Sequence, residues 1–420
     1  FRSNPQSPIP NPHSFIIYKH LFLKFIIIYI KFIFLINMNE KDYNLSYKNR
    51  MNLGTLLLLN SPKKMQFGID LSQWIIGEKF MGIKLIPIGI HYISFSLSEE
   101  NNAFKQGFFI EIESGKNKAR NIIREWSPKY QTFIRLSEET TKNYSIGLDN
   151  LDFDQYLGNY PYEQISNWKD LTSFLNIEII NRLQKNINVT MCPELLEDKK
   201  IVENNEENAI KNNENEGNNT ADNEFNLYNQ LITYSDIEFT EFYLNRPEYI
   251  NSLDKSKLLE KILISFKKPE EFLGEYQYSF ILFLIGEVYE SLKQWKDIFI
   301  LISSSEGLIQ NYEKFFCNFI EVIYNQLRLF PDDLMHDVIL DNNFLKRYLT
   351  NFLLFDQKDK KSFTKRQKLL KSFVEEKFGY KILTEEERII DNYLHGIKSY
   401  DYKDEINDDL PVVVDENDFI

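Results

Sequence analysis

Cysteine is nearly absent from this chain of 420 residues. Cys192 and Cys317 stand far apart and form no C-x-x-C pair, so no disulfide framework is expected, which suits a reducing compartment. Histidine is scarce too. His13, His20, His91, His336 and His395 include no pair at i, i+4 and none beside a cysteine, so no metal site is expected. Glycine-rich phosphate loops are missing: there is no G-x-G-x-x-G, and Gly115-Lys116 lacks the upstream glycine such a loop needs. Neither G-x-S-x-G nor H-E-x-x-H occurs. Positive charge is in deficit, with 49 basic against 62 acidic side chains and a net charge of -13. The chain lacks the basic balance and basic stripe of a nucleic-acid binder, so direct RNA or DNA binding is disfavoured. A basic or neutral protein partner fits the charge better.

An uninterrupted apolar span is missing as well. Residues 15–36, FIIYKHLFLKFIIIYIKFIFLI, have the length to cross a bilayer, but Lys19, Lys24 and Lys31 break the run. A central Lys costs roughly 2.5–3.5 kcal/mol on insertion scales, against about 0.3–0.6 gained per Ile or Phe. The chain begins with Phe, and this stretch is built from residues that AT-rich codons encode. The expectation is that residues 1–37 are a translated non-coding extension and that Met38 is the start, with Met51 as a second candidate. A membrane anchor and a signal peptide are the competing readings; the latter would need an initial Met and a small-residue cleavage site.

What is present is organised in blocks. Residues 38–190 read as a β-rich domain. Short apolar or alternating runs at Leu53–Leu59, Phe67–Asp70, Gly82–Pro87, Gly89–Ser96 and Gly107–Glu113 are separated by turn signals, as in a β-sandwich or barrel. From about Leu151 the apolar spacing turns helical, and Ile165, Trp168, Leu171 and Leu175 predict short helices that close this domain. Residues 191–245 read as an Asn- and Glu-rich linker, with the least apolar stretch at 197–226. Residues 246–383 form an α-helical bundle or solenoid. Its predicted helices cover Lys257–Phe266, a nearly continuous Glu270–Leu292, Trp295–Ile302, Phe315–Leu329, Phe344–Leu354 and Gln367–Phe378, with Asp332-Asp333 as a further helix start. Residues 384–420 are an acidic tail. The fold class is therefore α+β in two domains: a β-sandwich-like N-terminal domain with short closing helices, and a C-terminal helical domain.

Candidate chemical groups each have an ordinary explanation. Cys317 sits among Phe315, Phe316 and Phe319 and reads as a core thiol rather than a nucleophile. Asp70 reads as a turn residue, His91 as a satisfied strand imidazole, and Glu270-Glu271 as acids at a helix start. No catalytic, cofactor or metal residue is assigned. The alternatives kept open are an unrecognised hydrolase on a β-sandwich and, if residues 15–36 are genuine, a membrane-anchored adaptor.

The tail holds one apolar run, Leu410, Pro411, Val412, Val413 and Val414, closed by Asp415. It can be a last strand docked on its own domain or a disordered end. It can also be an extended peptide that adds to the edge of a partner's sheet, where Pro411 at the start would cost no ladder bond.

Several segments resemble the Aar-two splicing factors, named for A-one–alpha-two repression. They are FGIDLSQWIIGEKFMGIKLIPIGIHYISFS at 67–96, Tyr156-Leu157-Gly158-Asn159-Tyr160-Pro161-Tyr162 with Trp168 and Leu171-Thr172-Ser173-Phe174, GEYQYSFILFLIGEVYESLKQWK at 274–296, Asp341-Asn342-Asn343-Phe344-Leu345, and Pro411-Val412-Val413-Val414. The resemblance runs in order from about Leu53 to the end; residues 1–50 and 197–226 lie outside it. It implies a non-enzymatic factor in a heteromeric complex. That factor would bind the spliceosomal scaffold Prp-eight through its RNase H-like and endonuclease-like domains during maturation of the U-five small nuclear ribonucleoprotein. It would delay entry of the Brr-two helicase and add a tail strand to its partner, a role carried over to Leu410–Asp415 alone. No direct nucleic-acid contact, membrane or cofactor is implied. The expected location is the cytoplasm, with the nucleus as a second candidate.

Overall fold

The computed structural model describes residues 53–97, 105–113, 120–184, 232–237, 254–330, 344–379, 381–384, 386–387 and 389–390. Segment 15–36, the linker's 197–226, Asp332-Asp333 and the tail residues 410–415 fall outside them. No helix among the described residues is long and apolar enough to cross a membrane.

Among the described residues, nine strands form two sheets: β1 (Gly54–Leu59), β2 (Gln66–Ile69), β3 (Ser72–Ile75), β4 (Gly82–Ile86), β5 (Gly89–Ser96), β6 (Gln106–Ile112), β7 (Asn121–Ser127), β8 (Thr132–Ile134) and β9 (Leu157–Asn159). One sheet has the order β8-β7-β1-β4-β9 and the other β3-β2-β5-β6. The second is antiparallel throughout; the first is mixed, with β1–β7 and β4–β9 parallel. Leu56, Leu58, Ile83 and Ile86 of one sheet meet Phe67, Ile69, Phe95 and Phe108 of the other in a shared buried core, the interior of a sandwich. The helical period read from Leu151 is realised differently at first: residues Asp154–Tyr156 make a single 3-10 turn and run directly into β9.

The helices are α1 (Glu138–Asp149), α2 (Ile165–Leu171), α3 (Ile177–Leu183), α4 (Ser256–Ile264), α5 (Glu270–Leu284), α6 (Tyr289–Ser303), α7 (Ile309–Leu327), α8 (Phe344–Leu353) and α9 (Lys361–Phe378). The expected continuous helix from Glu270 to Leu292 is broken. It stops after Leu284, Glu287 takes a left-handed φ of 58°, and α6 starts at Tyr289. Gly286 marks the break, because a Cβ there would press on the Leu282 carbonyl and the Tyr92 hydroxyl.

Helix α5 is the central element, as its composition demands. Every residue from Phe272 to Leu284 is buried, so the helix is apolar on all sides and must be surrounded. Its neighbours come from both regions. Phe109 of β6 stacks on Tyr278, and Tyr92 of β5 tilts against Phe109. Leu71, Ile90, Tyr92 and Phe109 thus belong to the same core as the helices. Gly274 permits a close approach: a side chain there would collide with Ile179 and with the backbone carbonyl of Phe174.

Candidate functional site

Two buried polar clusters and one exposed charged face stand out. The first cluster joins residues that are remote in sequence. Asp70 follows β2 in a left-handed turn conformation (φ 54°), and His91 lies on the adjacent strand β5. The His91 Nδ1 is 2.7 Å from Asp70 Oδ2, and Nε2 is 2.8 Å from the Pro87 carbonyl. The Tyr160 hydroxyl donates to Asp70 Oδ2 at 2.6 Å, and the Tyr92 N–H donates to Oδ1 at 2.9 Å. Burial and the adjacent Asp70 carboxylate push the Tyr160 phenol far above its ordinary range. Nearby, Trp168 Nε1 donates to the Ile90 carbonyl at 2.8 Å. Residues from two of the resembling stretches, FGID and GIHY of 67–96 and Tyr160 with Trp168 of the second, therefore converge on one place.

An Asp–His pair is also the beginning of a hydrolytic triad. Here both ring nitrogens face oxygen acceptors, Nε2 has a backbone carbonyl where a nucleophile would stand, and Asp70, His91 and Tyr160 are all buried. The arrangement locks a turn, a strand and the β9 segment together. A recess of about 340 Å³ does exist, between β6, β7 and the start of α1, but it lies among Glu111, Asn121, Arg124, Arg135, Glu138 and Thr141 and contains no histidine. Arg124 in it donates to the Ile123 carbonyl and lies over the Phe108 ring, and burial with the nearby Arg135 lowers its pKa to about 10. The carboxylate, imidazole and hydroxyl that a hydrolase reading requires do not converge in this recess.

The second cluster surrounds Glu275 on α5, which is fully buried. Its carboxylate accepts from Arg182 of α3 at 2.7 Å, from the N–H and hydroxyl of Ser235 at 2.7 Å each, and from Gln294 of α6 at 3.0 Å. Alongside it, Gln277 accepts from the Phe174 N–H and donates to Ser173. These bonds, with the Thr233 N–H on the Leu183 carbonyl, hold residues 232–237 against both the end of the sandwich region and the helices.

Cys317 lies on α7 with its thiol 3.8 Å from the Ser362 hydroxyl, and burial pushes its pKa up. Glu270, at the start of α5, pairs with Lys314 at 3.2 Å. Leu410, Pro411, Val412, Val413, Val414 and Asp415 lie outside the described residues.

One feature contradicts the composition reading. Although the chain as a whole is acidic, residues 344–381 carry eleven basic against four acidic side chains. Helix α9 turns Lys361, Lys365 and Lys368 to solvent in a row at i, i+4 and i+7, which is a basic stripe. Whole-chain charge hid it, because the acidic tail cancels it in the sum. The signal was the local run Lys360–Lys371.

Comparison with known proteins gives two family matches in the order of the two structural regions. The AAR2 N-terminal domain matches residues 52–185, and the AAR2 C-terminal repeat region matches residues 249–383. Among curated relatives, a protein AAR2 homolog of Homo sapiens is 28% identical over 327 residues, covering 71% of this chain and 81% of its own. The Caenorhabditis elegans homolog is 28% identical over 315 residues, covering 70% and 84%. The A1 cistron-splicing factor AAR2 of Saccharomyces cerevisiae is 23% identical over 375 residues, covering 86% of this chain and 98% of the yeast protein. With both regional matches in sequence order, and together spanning more than half of its length, the chain belongs to the AAR2 family.

Proposed function

We propose that this protein is a non-catalytic assembly factor in pre-mRNA splicing. It binds a Prp-eight-like scaffold protein during U-five small nuclear ribonucleoprotein biogenesis in the cytoplasm and delays association of a Brr-two-type helicase. The observation that carries this reading is the ordered match of both regions to one family, whose yeast member is named a splicing factor. The mechanism is occupancy: the folded regions dock, and Leu410–Asp415 adds a strand to the scaffold. Two modest contacts on one chain reinforce each other through effective concentration.

Replacing Val413 with Pro tests the strand. It removes one main-chain donor in the middle of the pairing segment, outside both folded regions. Scaffold affinity measured by titration calorimetry is expected to fall while the melting temperature stays put. Unchanged affinity counts against strand addition.

A further inference from the structure

The path of the chain after α9 leads somewhere definite. Helix α9 ends at Gly379, which takes the left-handed conformation (φ 66°) that a helix-terminating turn requires. The chain then reverses. Ile382 is buried in the helical core, and its N–H donates at 2.9 Å to Glu375, one turn back along α9. Thr384 and Glu387 cap one another through reciprocal hydrogen bonds, which hold the Glu387 carboxylate below its ordinary range, with a smaller contribution from the charge of Lys371, another turn back. Ile382 thus lies beside Glu375, with the Glu387 charge within range of Lys371, so the chain heads back along α9, towards its N-terminal end.

That heading meets the basic stripe. Beyond Lys371 lie Lys368, Lys365 and Lys361, exposed and without an ion pair among the described residues. Arg366 beside them is already committed to Glu321. Leu369, on the same side, is 64% exposed. The chain still to come, residues 391–420, carries nine acidic and two basic side chains. From Lys371 to Lys361 is about 15 Å along a helix, whereas the 14 residues from Glu387 to Asp401 can span up to about 45 Å. Reach is therefore no obstacle to the acid-rich block Asp401–Asp409.

We propose that the acidic tail, residues 391–420, docks in cis on the lysine face of α9, guided there by the return of Ile382 along that helix. The contact is electrostatic, one charge row against another, and the short tether holds the tail at a high local concentration. In the free protein this shields a basic face on an otherwise acidic molecule and keeps the tail's apolar run close to the body. If the tail also adds a strand to a scaffold, as in the proposed function, the scaffold must first win it from α9. The docking itself stands without that role.

The test uses the full chain, free of partners. Zero-length carbodiimide cross-linking read by mass spectrometry joins carboxylates to lysines in direct contact. At low salt, tail carboxylates are expected to link chiefly to Lys361, Lys365 and Lys368. Those links should disappear near 1 M salt, where screening shortens the range of charge to about 3 Å. Neutralising Asp401, Asp404, Glu405, Asp408 and Asp409 to Asn or Gln, which leaves the folded body untouched, should abolish them as well. In a second readout, K361E, K365E and K368E combined should speed proteolytic removal of the tail several-fold without lowering the melting temperature. Links scattered over lysines elsewhere, links indifferent to salt, or links that grow with protein concentration and so join two copies each overturn the proposal. Since no scaffold is present, failure here leaves the proposed function standing.

Discussion

Asp70 and Glu275 are both buried carboxylates, and they do different work. Asp70 takes its partners from the sandwich region alone: His91 and Tyr92 on β5, and Tyr160 just beyond β9. Glu275 takes Arg182 from the end of that region, Ser235 from a segment before the helices, and Gln294 from α6. The first fixes one region's internal geometry, and the second ties three parts of the chain to the central helix. A buried charge is tolerated only when its donors are assembled around it. Each carboxylate therefore reports which segments must come together before it can be buried.

The comparison can be broken from the Glu275 side first. Glu275→Ala leaves Ser235 and Gln294 without their acceptor and the Arg182 guanidinium without its carboxylate. A loss of about 2–4 kcal/mol of stability is expected, from several buried donors left unpaired at roughly 1–3 kcal/mol each, while the Arg182 guanidinium, 36% exposed, regains water. Hydrogen exchange should show the Thr233 and Ser235 amides opening while β5 amides keep their protection. Equal loosening of β5 would mean that the two clusters are not separate. Asp70→Asn is the milder counterpart. Asn tolerates the left-handed turn and keeps one acceptor oxygen, so about 1–3 kcal/mol is expected from the mispaired buried donors. Its exchange signature should be the converse, with faster exchange at Tyr92 and slow exchange at Ser235.

Tyr160→Phe sharpens the comparison further, because it removes one donor to Asp70 and one titrating group. At neutral pH the cost should be about 0.5–1.5 kcal/mol, as for a single hydrogen bond. The pH effect has a definite sign. In the folded protein the Tyr160 phenol is held well above its ordinary range, so the unfolded chain loses its proton first. The unfolded state then binds fewer protons, and stability falls as pH rises beyond about 10. The Phe variant should show a shallower alkaline decline in urea titrations. Tyr92, Tyr162, Tyr234, Tyr276 and Tyr278, whose phenols burial also raises, add to the decline. An unchanged slope would show that Tyr160 is not sealed as described.

Much of the fold could be read from residue pattern because the pattern was physical. Gly107–Glu113 alternates, and β6 forms at Gln106–Ile112 with alternate sides on two cores. Helix α5 is apolar all round and lies at the centre. Helix α1 was illegible because only Leu148 is buried in its 12 residues, which leaves no apolar period. Its one signal was the Ser137 cap, whose side chain accepts from the Thr140 N–H, with Glu138 and Glu139 in the first turn. Strand β9 is three residues long, too short for a period to show. The Asp70–His91 contact spans 21 residues, and nothing local pairs the two; it exists only once β2 and β5 lie side by side. Glu275 read as an ordinary helix acid, since the donors that bury it come from 40 and 93 residues away and from α6. The α9 stripe was written plainly in the sequence but vanished in a whole-chain sum.

In the proposed function the folded body and the tail bind one scaffold together. The direct measurement is scaffold affinity for the full chain and for a chain ending before residue 406, under identical salt. The account predicts that truncation weakens binding by about 100-fold or more, the scale on which a second linked contact acts, while a weaker body-only affinity persists. Equal affinities for the two chains would contradict it.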